Sequence, residues 1–309
     1  MAELRVATLN LLNFAAPPLA CYEWDNIYNQ AQWLQKTNWL KTLLQQQQPD
    51  ILALQEVFSV TELRELLATL GYAWFAVVEQ PELLDQHVFT RPVVAIASRY
   101  PMLEVAEITA DVAGLAQLGL NNFQFSRKPV LVQLETPQFG KVRVAAVHLK
   151  SRRPAELPDA ALALWASELQ RGYEAALLRQ ALALHCRSEK GQAEPLIVAG
   201  DFNDVLSSAL LQPLLATDRS QQPLFLLQDA AELAAEAYRA PTHYYGAGGQ
   251  VLDYVLVSAA FDPRHHHACG EVSNYRVVDR HLVSPVFARD GYSSDHAYVE
   301  ICLNPLKCR

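Results

Sequence analysis

The chain has 309 residues, of which 51% are hydrophobic and 19% charged, which is ample for a sizeable core and excludes a disordered chain. Its formal net charge of −8 excludes a protein that coats nucleic acid nonspecifically, so any polyanionic substrate must be met by local positive charge or by metal. The cysteines Cys21, Cys186, Cys269, Cys302 and Cys308 are odd in number and lack C-x-x-C spacing, so they read as reduced thiols rather than a zinc site or disulfide framework.

In chain order, Leu4 to Leu9 reads as a strand that starts without the features of a signal peptide. No apolar run approaches the roughly 18 residues that span a bilayer. The expectation is a cytoplasmic chain forming one domain over residues 1–309. Trp33, Leu34, Trp39, Leu40, Leu43 and Leu44 mark an amphipathic helix that stops before Pro49, with Gln45 to Gln48 as its solvated end. Ile51 to Leu54 is a strand, and Ser59-Val60-Thr61-Glu62 matches a capping box opening the helix of Leu63, Leu66, Leu67 and Leu70, closed by Gly71.

Further strands are read at Tyr72 to Val78 and Val93 to Ala97, and a hairpin at Val130 to Glu135 and Val142 to Val147. A long helix runs from about Asp159 to Glu189, followed by strands at Leu196 to Ala199, Val251 to Val257 and Ala297 to Cys302. Glu79 to Pro92 and Thr109 to Ser126 have weak periodicity and are expected as rim loops. Alternating strands and helices with a central hairpin predict mixed sheets covered by helices.

Polar residues stand where these apolar strands stop: Asn10, Glu56, His148, Asp201 with Asn203, Asp253, and Asp295 with His296. Cleaving a phosphoester needs an in-line nucleophile, neutralisation of the non-bridging oxygens and stabilisation of the leaving oxygen. Magnesium suits the charge-bearing roles because it is hard and prefers oxygen ligands; Glu56 and Asp295 offer carboxylates and Asn10 a neutral oxygen. His296 is the candidate base, Asp253 the carboxylate that fixes its tautomer, Asp201 the group that holds water, and Asn203 and His148 donors to the phosphate. Arg127 and Lys150 supply local positive charge for substrate.

The ordered blocks Thr8-Leu9-Asn10, Leu54-Gln55-Glu56-Val57, Val147-His148-Leu149, Gly200-Asp201-Phe202-Asn203, Leu252-Asp253-Tyr254-Val255 and Ser294-Asp295-His296 resemble the endonuclease/exonuclease/phosphatase superfamily. The resemblance implies a four-layer α/β/β/α sandwich of two mixed sheets flanked by helices, with the site at their shared edge. It further implies Mg²⁺ or Mn²⁺ on Glu56 with Asn10 and Asp295 nearby, and phosphodiester hydrolysis of the nuclease or phosphodiesterase kind. A phosphomonoesterase, a sphingomyelinase-like lipid phosphodiesterase and a non-catalytic phosphate-binding module stay open, as do nucleic acid as partner and the oligomeric state.

Other polar clusters read as structural. His265-His266-His267 follows Phe261-Asp262-Pro263 and is expected in a surface loop, and Gly246, Gly248 and Gly249 in a tight turn. Trp24, Trp33 and Trp39 are expected to pack, with Tyr22 and Trp24 near the rim of the site.

Overall fold

A computed structural model describes residues 3–186, 194–215 and 226–306. Cys308 and positions 187–189 of the expected long helix lie outside them. Among the described residues, one sheet of seven strands runs in the order Glu236–Tyr238, Gly270–Val278, Tyr298–Pro305, Leu4–Phe14, Ile51–Val57, Val93–Ser98 and Trp74–Ala76. A second, of six strands, runs Gln228–Asp229, Asp253–Val257, Leu196–Asp201, Gly140–His148, Val130–Thr136 and Met102–Glu107. Both are mixed: Leu4–Phe14 lies parallel to Ile51–Val57 and antiparallel to Tyr298–Pro305. Gly140–His148 is likewise parallel to Leu196–Asp201 and antiparallel to Val130–Thr136.

The central strands are near-continuous apolar runs because both faces are covered, and successive side chains feed different cores. Val6, Ile51, Ala53, Val94 and Ile96 of the first sheet share a core with Val132, Val144, Ile197 and Val255 of the second. Ala7, Leu9, Leu52, Leu54 and Ala95 point the other way, onto Trp39, Leu40, Leu43, Leu63 and Leu67 of the helices Gln30–Gln47 and Val60–Ala68. Leu131, Ala145, Val147 and Val198 turn outward onto Ala175, Leu177, Leu178 and Leu182 of the helix Ala160–His185.

Several local expectations change. Ser59 makes no capping bond with its own helix, because its Oγ accepts from the Ala16 amide at 2.7 Å. The reciprocal cap belongs instead to the preceding helix, between Asn29 and Gln32. Glu79 to Pro92 is not simply loop: Glu82–Leu84 and Val88–Arg91 pair, and Ala20–Cys21 adds a third strand. Thr109 to Ser126 contains the short helix Val112–Gln117, capped by Asp111. Trp24 lies outside any helix, 57% exposed and stacked on His87 at 5.3 Å, whereas Trp39 is buried as read. His265, His266 and His267 sit in a surface turn, and Gly246 turns the hairpin His243–Tyr245 and Gly248–Gln250 with φ +59°.

Candidate active site

Register aligns three of the expected residues. His148 is the partner of Asp201 across parallel strands, and Asp201 the partner of Asp253 across antiparallel ones. Each keeps the parity of its strand's inward positions, Ala146, Ala199 and Val255, so all three side chains continue the face between the sheets. Asn10 does the same on the facing sheet, two residues past Thr8 and four past Val6. Close pairing here requires Gly200, since a Cβ there would lie 2.0 Å from the Val147 carbonyl oxygen.

His296 joins this row from the segment before Tyr298–Pro305. The Ser294 hydroxyl donates to the Asn10 carbonyl at 2.6 Å and accepts from the His296 amide at 2.9 Å, and Ala297 N–H donates to Thr242 O. His296 Nδ1 then lies 2.8 Å from Asp253 Oδ2, with Nε2 3.8 Å from Asp201 Oδ2. His148 Nε2 approaches the same Asp201 oxygen at 3.5 Å. That oxygen also accepts from Asn10 Nδ2 at 3.1 Å, while Asp201 Oδ1 accepts from the Asn203 amide at 2.8 Å.

All five side chains are buried, so a charge on one is felt strongly by its neighbours. Burial opposes a charge on His296, but Asp253 and Asp201 outweigh it and raise the imidazole well above its ordinary value. For His148, burial and then Arg127, His296 and Lys150 all act downward, which keeps it neutral. Burial pushes Asp201 up to about 7 against the pull of His296. The row thus combines a cationic imidazole, a neutral one and a carboxyl that exchanges its proton near neutrality, a combination suited to moving protons on a bound ester.

Glu56 reaches the site through irregular backbone. The pairing register shifts between Asn10 and Phe14 on one strand and between Leu54 and Val57 on the other. Within that bulge Leu12, Asn13 and Glu56 adopt left-handed φ values of 49°, 53° and 58°. Glu56 accepts from Asn13 N at 2.9 Å and from Asn10 Nδ2 at 3.3 Å. Asn10 therefore bridges Glu56 and Asp201 through its amide nitrogen, and its Oδ1, read as a metal-facing oxygen, instead accepts from Leu12 N at 3.0 Å. In this bulge, Asn13 Oδ1 is a buried amide oxygen without a partner. A carboxylate beside an orphaned carbonyl oxygen is a donor set that fits a hard divalent cation. Asp295 lies on the open side, its side chain 48% exposed and 3.9 Å from His243 Nε2.

The basic residues gather beyond His148. Arg127 Nη1 and Asn203 Nδ2 both donate to the Leu149 carbonyl, at 3.3 and 2.9 Å. Lys150 Nζ donates to Arg153 O at 3.2 Å, and the Arg153 guanidinium lies 5.3 Å over the Tyr22 ring. Burial and then Arg127 lower the Lys150 ammonium.

Three residues at the site carried no recognised sequence signal. Asn13 follows Asn10 by one helical turn's spacing but lies in a strand, where only the bulge turns it toward Glu56. Lys36 lies among the apolar positions of its helix, is 2% exposed and donates to the Ser293 carbonyl at 3.4 Å. His243, before the glycine turn, pairs its backbone with His296, and the two rings lie 4.8 Å apart.

The family model described as Endonuclease/Exonuclease/phosphatase family matches residues 7–296. No curated protein matches the chain significantly. Among solved structures, the human nocturnin catalytic domain with bound sulfate is 20% identical at a TM-score of 0.63, covering 98% of this chain and 95% of that one. A humanized D. rerio TDP2 is 14% identical with a TM-score of 0.63 over 98% and 100%. A Bacteroides thetaiotaomicron mannosyl-6-phosphatase is 17% identical with a TM-score of 0.59 over 97% and 99%. At these identities the structures speak for the fold, while the family model spans nearly the whole chain: the protein belongs to the endonuclease/exonuclease/phosphatase family.

Proposed function

We propose that the chain is a divalent-metal-dependent phosphoesterase that hydrolyses phosphodiester bonds, as a nuclease or phosphodiesterase does. The observation that carries this reading is Asp201 Oδ2 flanked by two imidazoles, His148 at 3.5 Å and His296 at 3.8 Å, at the shared edge of two sheets. Asp201, rather than His296 as the sequence suggests, accepts a proton from the attacking water, because His296 is already held protonated and the Asp201 value of about 7 allows it near neutrality. His296, held as a cation by Asp253 and Asp201, faces the charge that builds on phosphorus. His148 stays neutral and supplies an N–H to a phosphate or leaving oxygen. Asn203 keeps a second amide N–H for the phosphate, one being used by Leu149 O. Arg127 and Lys150 meet the substrate's remaining negative charge.

Glu56 would hold Mg²⁺ or Mn²⁺, with Asn10, Asn13 and Asp295 beside it. When bound, the ion supplies positive charge to the non-bridging oxygens. A second reading, a phosphomonoesterase, is favoured by the net charge of −8, which disfavours a long polyanion.

The deciding experiment removes metal with EDTA, restores Mg²⁺ or Mn²⁺, and compares bis-p-nitrophenyl phosphate, p-nitrophenyl phosphate, a DNA oligonucleotide and sphingomyelin. Diester turnover that vanishes on chelation and returns with metal supports the proposal. Monoester turnover alone moves the assignment to a phosphatase. Magnesium binding without turnover of any of the four would leave a phosphate-binding module.

A further inference from the structure

His243, Asp295 and His296 form a group that the proposed hydrolysis does not use as a unit. Each offers one ligand atom, and the three atoms lie within 4.8 Å of one another. The pairing is built in by the backbone: His243 and His296 are antiparallel bridge partners, which puts their imidazoles side by side. His243 Nε2 lies 3.9 Å from Asp295 Oδ2.

A second observation points to a metal. His296 Nδ1 is committed to Asp253 at 2.8 Å, which leaves Nε2, 3.8 Å from Asp201 Oδ2, as the nitrogen available to a metal. This carboxylate–imidazole arrangement is the one that orients histidine on zinc and makes it more basic. Asp253 is itself fixed, since the buried Thr242 hydroxyl accepts from the Leu252 and Asp253 amides at 2.9 and 3.1 Å.

We propose that His243, His296 and Asp295 bind a borderline-soft divalent cation of the zinc type, through two imidazole nitrogens that the oxygen donors at Glu56 lack, with Asp295 common to both sets. Two imidazoles and one carboxylate suit zinc, whereas magnesium prefers oxygen ligands throughout. Bonds of about 2 Å bring tetrahedral ligands to about 3.3 Å from each other, so the group must close by roughly 1.5 Å. That closure falls to the side chains of His243 and Asp295, 26% and 48% exposed, rather than to the buried His296. Binding releases the Nε2 proton of His296 to solvent and leaves a fourth position open. Occupation takes away the imidazole that faces Asp201, so zinc inhibits. The binding stands without the proposed hydrolysis, and only its inhibitory effect rests on that reading.

The test is calorimetric titration of ZnCl₂ into metal-free protein. The background carries His265→Asn, His266→Asn and His267→Asn, because those neighbouring imidazoles offer zinc another place. One zinc per chain is expected, with affinity reduced at least about tenfold by His243→Asn and about 10- to 100-fold by Asp253→Asn. His243→Gln replaces His243→Asn if the latter changes the circular dichroism spectrum. In an Mg²⁺-supported assay, zinc concentrations that stop the parent should leave the His243 variant at its own zinc-free rate, whatever that rate is. Binding that ignores His243, or the absence of micromolar binding, overturns the proposal; loss of all turnover with His243-dependent binding retained overturns only the hydrolytic reading.

Discussion

Asp201 and Asp253 face each other across two antiparallel strands, and one imidazole, that of His296, lies against both carboxylates. Two buried acids so close would repel if both were ionised and unscreened. His296 resolves this by carrying positive charge between them, bonded to Asp253 and leaving Asp201 to titrate.

Asp253→Asn should therefore damage the reaction without removing any group that meets substrate. The amide cannot hold His296 as a cation, and kcat is expected to fall by about 10² to 10⁴ with KM nearly unchanged. The ¹H NMR resonance of the His296 Nδ1 proton, expected far downfield in the parent, should shift upfield in the variant. Near-normal kcat would remove Asp253 from the site.

Asn13→Ala tests whether the orphaned Oδ1 serves a cation beside Glu56. Calorimetric Mg²⁺ affinity is expected to drop about tenfold, within the range that lost partners around a metal cost. Unchanged affinity would make Asn13 a residue of the bulge alone.

Gly200→Ala should lower stability by about 1–3 kcal/mol, because the new methyl meets the Val147 carbonyl at 2.0 Å and two paired strands must separate. Urea unfolding measures this directly. Turnover should fall as well, since His148 and Asp201 are adjacent to the displaced residues.

Asp204 gives a pH dependence whose sign follows from its surroundings. Burial acts upward on its carboxyl, but the Val205 amide, Arg171 and Arg152 outweigh it and hold it below the ordinary value. With the unfolded value near about 3.9, this stabilisation is fully present above that pH and is lost as pH falls through the lower folded value. Asp204→Asn should be less stable at pH 7, on the order of 3 kcal/mol, because Arg171 is left buried and uncompensated. Its stability should then change less than the parent's between pH 7 and pH 3 in urea melts. Equal losses would assign acid sensitivity to other groups.

Much of the architecture was legible because the core strands are covered on both faces and so read as unbroken apolar runs. His148, Asp201 and Asp253 were legible for a related reason: each lies at one end of such a run, where a polar residue stands out. Met102–Glu107 was not, since it is an edge strand whose Leu103 and Val105 face outward and whose two glutamates break the apolar run. Gly270–Val278 was obscured by the register shift between Val272 and Asn274, which interrupts its alternation. The orientation of Asn10 was missed because amide nitrogen and oxygen are equivalent in a sequence. His243 and Lys36 were missed because their burial comes from segments far away in the chain.

The row His148, Asp201 and Asp253 has a consequence for how this molecule can fail. Side chains alternate along a strand, so sliding any one of the three by a single position would send its polar group to the outer helices and bring a non-ionisable or aromatic neighbour in. There is no half-assembled version with proportionate activity. Specific activity per folded molecule should consequently act as a sensor of correct strand alignment, dropping to background in misregistered species whose overall shape and helix content still look native.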